Sequence, residues 1–317
     1  MKIAITTHPF NEVDVLESAG HDVKCNPFGR RIKPDEVLPF VRDADAIIAG
    51  TETYTREMLE QCKAETISRV GVGYDNIDLQ ACRDLGIFVT YTPDAPRDGV
   101  AELTVAQIIA LLRGIGKSGA SIRRGEWKRE MGQLISEVNI GILGVGRIGS
   151  RVAKLLKPFG GVTLGCDIDE KVLNDNQMWL NASSMDNRWL FEDCDIVTVH
   201  VPMNEQNRHL VNYPEINAMP RGSYLINNSR GAIVNESVVM NRLQTGQLAG
   251  YAADTFEEEP YTGPLAGRDD TLLTAHIGSS TKRCRYLMEK GAADNCIIAL
   301  KGQKVPEKNI VPFERKE

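Results

Sequence analysis

The sequence predicts an α/β protein made of two doubly wound, parallel-sheet domains. Short β-branched runs alternate with longer amphipathic segments from the first residues onward, the pattern of strands joined by crossover helices. Several later runs are apolar on both faces, as strands buried between two helical layers are. The length, 317 residues, supplies the domain count, because a domain typically holds about 100–200 residues.

Lys2–Thr6 reads as the first strand, with a helix over Val13–Ala19. Ala46–Ala49 and Thr66–Val70 are further strands, separated by a helix at Arg56–Cys62. Leu79–Leu85 is helical and Ile87–Thr90 is extended. Pro93 and Pro96 then forbid a continuous helix and mark a domain boundary. From Val100 to Ile115 runs a helix too apolar for an exposed position. Val138–Leu143 opens a second series of strands, continued by Val162–Cys166, Ile196–Val199, Ser223–Asn227, Gly250–Ala253 and Thr271–Thr274. A last helix spans Lys282–Leu300 and has no following strand to cover. It is therefore expected to return to the first domain, which becomes discontinuous: residues 1–95 plus 283–317, against 96–282 for the second domain.

Hydrophobic residues make up 42% and charged residues 25%, the balance of a folded globular chain rather than a disordered one. The net charge of −6 leaves no basic footprint for nucleic acid or an anionic membrane surface. A local cationic pocket for a small anion remains compatible with it. No signal peptide is expected in MKIAITTHPF, and the most apolar stretch, Val105–Leu112, stops far short of the roughly 20 residues of a spanning helix. Seven scattered cysteines with no C-x-x-C pair fit reduced thiols and a cytoplasmic location, with no metal site.

Gly144-Val-Gly146-Arg-Ile-Gly149 follows the strand VNIGIL and opens a helix at Ser150–Phe159. In that setting the glycines permit a tight turn, close approach of backbone N–H groups to a pyrophosphate, and helix-on-strand packing. Asp167 closes the next strand, where a carboxylate accepts from ribose hydroxyls. An acid there repels a 2′-phosphate, and Ile168 offers no compensating cation, so NAD is expected rather than NADP.

Hydride exchange with a carbonyl also needs a cation for the substrate carboxylate, a proton donor, and a group that tunes the donor. Three strand ends supply candidates: Arg230 in NNSRG, Glu259 in DTFEEEP and His276 in TAHIG. Open α/β sheets bind ligands at such ends. Singly, each residue has an ordinary explanation as a surface ion pair, a solvated turn or a structural histidine; their joint placement points to chemistry.

NIGILGVGRIG, HVP (200–202), LINNSRGAIVNE, AADTFEEEP and LTAHIGSST together resemble the D-isomer-specific 2-hydroxyacid dehydrogenases, in order and spacing, over nearly the whole chain. The resemblance implies two Rossmann-like or flavodoxin-like domains with an interdomain cleft. It implies that Arg230 binds substrate, that His276 is the acid–base, and that Glu259, the acid directly before the proline, is its partner. It further implies cofactor contacts from Gly144, Gly146, Arg147, Ile148, Gly149, Asp167, His200, Pro202, Asn228 and Asp254, with Thr104 facing the nicotinamide side. Ser68–Asp78 resembles the family's substrate-binding turn, with the N–H groups of Val72 and Gly73 as donors to the substrate carboxylate. A homodimer through the NAD domain is implied, around Val100–Ile115 and the arm Ser118–Gln133 with Trp127.

Two departures stand out. Met203–Asn207 replaces the family's Leu-Thr-x-x-Thr, and Ala49-Gly-Thr-Glu-Thr53 lacks the arginines that hold phosphate in phosphoglycerate dehydrogenases. The latter resembles a shorter phosphoglycerate dehydrogenase-like group, with D-3-phosphoglycerate or glycerate/hydroxypyruvate as the implied substrate. Arg97, Arg56 or a partner subunit's basic residues are the candidate replacements. The alternative is an NAD(H)-sensing scaffold, as in C-terminal-binding-protein-type corepressors, which would need partner-binding tails not expected here.

Overall fold

The computed structural model describes residues 1–312. In chain order the first elements are β1 (Lys2–Ile5), α1 (Val13–Ser18), β2 (Asp22–Cys25), α2 (Pro34–Val41), β3 (Ala46–Ala49), α3 (Arg56–Leu59), β4 (Thr66–Arg69), α4 (Leu79–Asp84) and β5 (Phe88–Thr90). Then come α5 (Arg97–Leu112), α6 (Ile115–Arg123), β6 (Asn139–Leu143), α7 (Arg147–Leu156), β7 (Val162–Cys166), α8 (Glu170–Asn176) and β8 (Ala182–Ser184). The rest are α9 (Asn187–Asp193), β9 (Ile196–Val199), α10 (Tyr213–Ala218), β10 (Ser223–Asn227), α11 (Glu236–Gln244), β11 (Leu248–Ala253), β12 (Thr271–Leu273) and α12 (Lys282–Leu300).

The described residues divide into two units, one made of Met1–Pro96 and residues 281–312, the other of Arg97–Ser280. The first unit holds an all-parallel sheet in the order β2-β1-β3-β4-β5. Alternation along the strands divides its core. Ile3, Ile5, Ala46 and Ile48 face Leu16 and the α12 residues Met288, Ala292 and Cys296. Ala4, Ile47 and Ala49 face Phe40, Val41, Leu59 and Cys82. Ser68 Oγ donates to the Ala292 carbonyl at 2.7 Å, fastening α12 to β4.

The second unit holds an all-parallel sheet in the order β12-β11-β10-β9-β6-β7-β8. Strand order reverses between β6 and β9, the kind of switch point where open α/β sheets place a ligand. Helices cover both faces, with Leu190, Phe191, Val239 and Leu243 on one and Ala101, Ile108, Val152 and Leu156 on the other.

Several local expectations need correction. β2 and β8 were not anticipated, being short edge strands with mostly exposed residues. α5 starts directly after Pro96, and the apolar segment breaks at Gly114, whose φ of +58° ends the helix before α6 begins. Among the described residues no single helix is long and apolar enough to cross a membrane.

Candidate active site of the second unit

At the β6–α7 turn, Gly144 has φ +89°, a left-handed conformation that favours glycine. Its N–H donates to the Cys166 carbonyl at 2.7 Å, and a Cβ would press on the His200 carbonyl at 2.8 Å. Gly149 lies against the Gly144 carbonyl. Gly146 faces open space and caps α7 without a side-chain acceptor, leaving the first N–H groups of the helix directed at that space. Arg147 is exposed at the first helical position, and Ile148 packs partly on the core. Asp167 accepts from the Val145 N–H at 2.8 Å, so its carboxylate is held beside the glycine turn. Ile168, next to it, is 87% exposed.

On the other side of the switch point, His200 Nε2 pairs with Thr198 Oγ1 at 2.9 Å. Burial of the ring drives its pKa down to about 3, so the folded protein holds it neutral. The unfolded chain binds this proton below about pH 6.5, so folding stability is lost as pH falls from there toward 3. His200→Gln should flatten the dependence of urea-unfolding stability on pH between those limits; an unchanged slope would refute this.

Pro202, exposed, offers its carbonyl to Asn207 Nδ2 at 2.9 Å, while Asn204 Oδ1 accepts from the Asn207 N–H at 2.8 Å. The two asparagines in the departing Met203–Asn207 segment thus fold it into a tight turn.

Asn228 follows β10 and donates through Nδ2 to Thr104 Oγ1 at 2.8 Å and Gln107 Oε1 at 2.7 Å. Thr104 is fully buried, and its hydroxyl also donates to the Val100 carbonyl. Its polar atom is therefore consumed inside the unit, supporting Asn228. Asn228 Oδ1 and Gln107 Nε2 are buried with no partner among the described residues. That orphaned acceptor and donor, the open face at Gly146 and the acid at Asp167 fit a dinucleotide. Gln107 stands out in the sequence only as a polar residue in the apolar helix, and no site role is read from it because a glutamine there carries no motif.

The three candidate chemical groups meet in this same unit. His276 Nδ1 lies 3.0 Å from Glu259 Oε2. Burial alone would raise the Glu259 carboxyl, but His276, the Phe256 N–H and the Arg230 charge outweigh it and hold the group below its ordinary value. Arg230 is partly buried, and its guanidinium donates to the Ser229 carbonyl at 2.9 Å. Of the three consecutive glutamates, Glu257 pairs with His209 and Arg208 and Glu258 is exposed, which leaves Glu259 to the imidazole.

The His276 loop is held by Asp254. One carboxylate oxygen accepts from Thr274 Oγ1 at 2.6 Å and the Ile277 N–H at 2.8 Å, the other from the Gly278 N–H at 2.7 Å. His276 itself has φ +53°, a conformation a non-glycine residue adopts only when its surroundings impose it. Asp254 therefore acts on the structure as a brace for the loop, a use the sequence pattern did not disclose.

In the first unit, Gly71 has its N–H on Thr92 Oγ1 at 2.9 Å. The N–H groups of Val72 and Gly73 take no partner among the described residues. Asn76 Nδ2 bonds the Gly50 and Glu52 carbonyls at 3.2 and 2.6 Å, so the turn after β4 and the loop after β3 adjoin. Arg56, one candidate cation, is neutralised by Asp84 at 2.6 Å, and Arg97 pairs with Asp98 at 3.2 Å. No group of three or more metal-ligating side chains occurs among the described residues.

Comparison with known proteins agrees with this geometry. Residues 105–278 match the family model for the D-isomer specific 2-hydroxyacid dehydrogenase, NAD binding domain. The chain is 35% identical to glyoxylate reductase of Thermofilum pendens over 86% of its length and 83% of that protein. It is 33% identical to D-3-phosphoglycerate dehydrogenase of Methanocaldococcus jannaschii over 94% of its length, spanning only 57% of that protein. The crystal structure of TT0316 protein from Thermus thermophilus superposes with a TM-score of 0.89 at 28% identity, covering 98% of this chain and all of the other. The chain belongs to the D-isomer-specific 2-hydroxyacid dehydrogenases. It is an oxidoreductase that uses NAD, and the scaffold alternative is not retained.

Proposed function

We propose that Arg230, Glu259 and His276 carry the interconversion of a small 2-oxo acid and its D-2-hydroxy acid, with glyoxylate or hydroxypyruvate as the preferred oxo acid. The observation that carries the reading is the His276–Glu259 contact at 3.0 Å, formed beside Arg230 on loops that leave the carboxyl ends of parallel strands. NAD, when bound, exchanges the hydride. Arg230 presents a planar fork of donors to the substrate carboxylate and polarises the carbonyl. Glu259 accepts from Nδ1 and fixes the tautomer, so Nε2 of His276 gives its proton to the carbonyl oxygen in reduction and takes it back in oxidation. We assign Gly144, Gly146, Arg147, Ile148, Gly149, Asp167, His200, Pro202 and Asn228 to cofactor binding, and the Val72 and Gly73 N–H groups to the substrate carboxylate. Asp254 and Thr104 support this set from behind.

The choice of a small, uncharged oxo-acid side chain rests on the Gly50–Tyr54 loop. It carries no cation, and its Glu52 is buried against Thr6 Oγ1 at 2.8 Å. The names of the glyoxylate reductases among its relatives point the same way. A second reading, D-3-phosphoglycerate, draws on Arg31, whose guanidinium reaches the Thr51 carbonyl at 2.5 Å and brings a cation to that loop. Steady-state turnover of glyoxylate, hydroxypyruvate, D-glycerate and D-3-phosphoglycerate with NAD(H) decides. Absence of turnover on every member, with NADH binding intact, would refute the catalytic reading. Arg230→Lys should cost about 100-fold in kcat/KM for the oxo acid, the order of a lost charged, bidentate contact, and leave NADH affinity nearly unchanged.

A homodimer through the second unit is part of the proposal. Trp127 is 80% and Met131 99% exposed, and Ile115, Ile122 and Leu134 are exposed in the same stretch of chain; clustered exposed apolar side chains mark interaction sites. Light scattering should give twice the chain mass, and Trp127→Glu with Met131→Glu should lower it. The seven free cysteines favour a reducing, cytoplasmic setting.

A further inference from the structure

We propose that His209 is a positioning residue that clamps the Arg230 loop and the Glu259 loop to each other through a second imidazole–carboxylate pair, His209–Glu257. The inference rests on the assignment of Arg230 and Glu259 made above. His209 lies outside the residues assigned to substrate or cofactor, yet it is one of the two described non-glycine residues with positive φ, at +50°; the other is His276. Its backbone N–H donates to the Ala232 carbonyl at 2.8 Å, in the short turn that follows Arg230. Its Nε2 lies 3.1 Å from Glu257 Oε1, two residues before Glu259.

Both attachments are reinforced locally. Behind Arg230, the Val211 N–H bonds the Ile233 carbonyl, the Asn235 N–H bonds Val211, and the Ile233 N–H bonds the Arg230 carbonyl. These bonds extend the grip of His209 along the whole segment that presents the guanidinium. On the carboxylate side, the Glu257 N–H donates to Glu236 Oε1 at 2.9 Å, and the Phe256 N–H to Glu259 Oε1 at 3.2 Å. Gly231 sits against the Phe256 carbonyl with no room for a Cβ, so the two loops already touch.

His209 adds a side-chain contact that ties the two loops together at Glu257. Glu236, Glu257 and Glu258 crowd one place, and burial first, then repulsion from its two neighbours, raises the Glu236 carboxyl. The side chains facing Glu257 are His209, with Nε2 at 3.1 Å, and Arg208, at 3.5 Å and more exposed. The His209 and Glu257 side chains are only 29% and 27% exposed, so their contact is shielded from salt more than a surface pair is. A displaced Glu257 carries Glu259 with it, and His276 then loses the group that orients it.

The test compares His209→Gly, His209→Gln and Glu257→Gln with the parent enzyme. Glycine keeps the left-handed backbone and its N–H but deletes the imidazole; glutamine keeps a side-chain donor; Glu257→Gln keeps shape and deletes charge. His209→Gly and Glu257→Gln should each lower kcat about tenfold or more, a fraction of the roughly 10²–10⁴-fold that a positioned acid–base contributes. Both should shift the alkaline limb of the reductive kcat/KM profile to lower pH, with NADH Kd unchanged. His209→Gln should recover most of the kcat. If His209→Gly and Glu257→Gln both fold and keep the parent kcat and pH limb, the clamp is refuted. Should the glycine variant misfold, the isosteric Glu257→Gln decides alone. His276→Gln, run in parallel, separates the two levels. Full turnover in it overturns the site assignment and the clamp together, whereas its loss beside intact clamp variants overturns the clamp only.

Discussion

His276→Gln is expected to lower kcat by about a thousandfold, within the range a positioned acid–base contributes, while NADH Kd stays within about a factor of two of the parent. The backbone explains why the loss should be confined to chemistry. Asp254 holds the loop through Thr274 Oγ1 and the Ile277 and Gly278 N–H groups, none of which belongs to the His276 side chain. Glutamine keeps a polar group near Glu259 but cannot give up a proton near neutral pH. Glu259→Gln should fall in between. It preserves an acceptor at the 3.0 Å contact with Nδ1 but removes the charge that favours the imidazolium. Loss of that charge exhausts the donor at lower pH, so the alkaline limb of the reductive kcat/KM profile should move down. A limb that stays in place would separate Glu259 from the proton donor. Single-turnover reduction at several pH values, with NADH titration by fluorescence, reads both quantities.

How much of this was legible in the sequence depended on whether a residue's role was written in its immediate neighbours. The glycine turn was, because β6, Gly144, Gly146, Gly149 and α7 follow one another and Asp167 closes the next strand. The returning last helix was also foreseeable, since α12 has an apolar face and no strand of its own, and it packs on Ile3, Ile5 and Ile48. β2 and β8 were not, because a four- or three-residue edge strand with exposed side chains lacks the apolar run that marks a buried one. The site residues show the same division. The residues after strand ends were visible as candidates, but the choice of Glu259 over Glu257 came from resemblance. Its physical reason is spatial: His209, far off in the chain, occupies Glu257. For Asp254 the resemblance implied a cofactor contact and nothing in the sequence pointed to a brace, since its three partners lie some twenty residues downstream across a strand crossover.

Glu289→Ala should destabilise the first unit by about 3–5 kcal/mol, the cost of removing one partner from a buried ion pair. Glu289 lies on α12 and is 0% exposed. One of its oxygens accepts from the Asn11 N–H at 2.6 Å and Asn11 Nδ2 at 3.2 Å, and the other meets the Arg285 guanidinium. Arg285 in turn donates to Thr7 Oγ1 at 3.1 Å and to the Pro9 carbonyl. Truncation to alanine thus leaves a cation and a backbone N–H of the loop after β1 without their shared acceptor, and opens a space where a carboxylate was packed. Glu289→Gln keeps the acceptor for Asn11 and should lose about half as much. Arg285→Met with Glu289→Leu should recover part of the loss, since removing both charges leaves neither stranded. Urea unfolding followed by far-ultraviolet circular dichroism gives the three values, and an alanine variant within about 1 kcal/mol of the parent would show that the pair contributes little. The consequence for function is directional. Thr6, at the start of that loop, accepts the Gly50 N–H at 2.9 Å, so a loosened loop also loosens the Gly50–Tyr54 segment. KM for the oxo acid should rise in the alanine variant, while NADH affinity should hold, because the residues proposed above for the cofactor, Gly144–Gly149 and Asp167, lie in the other unit.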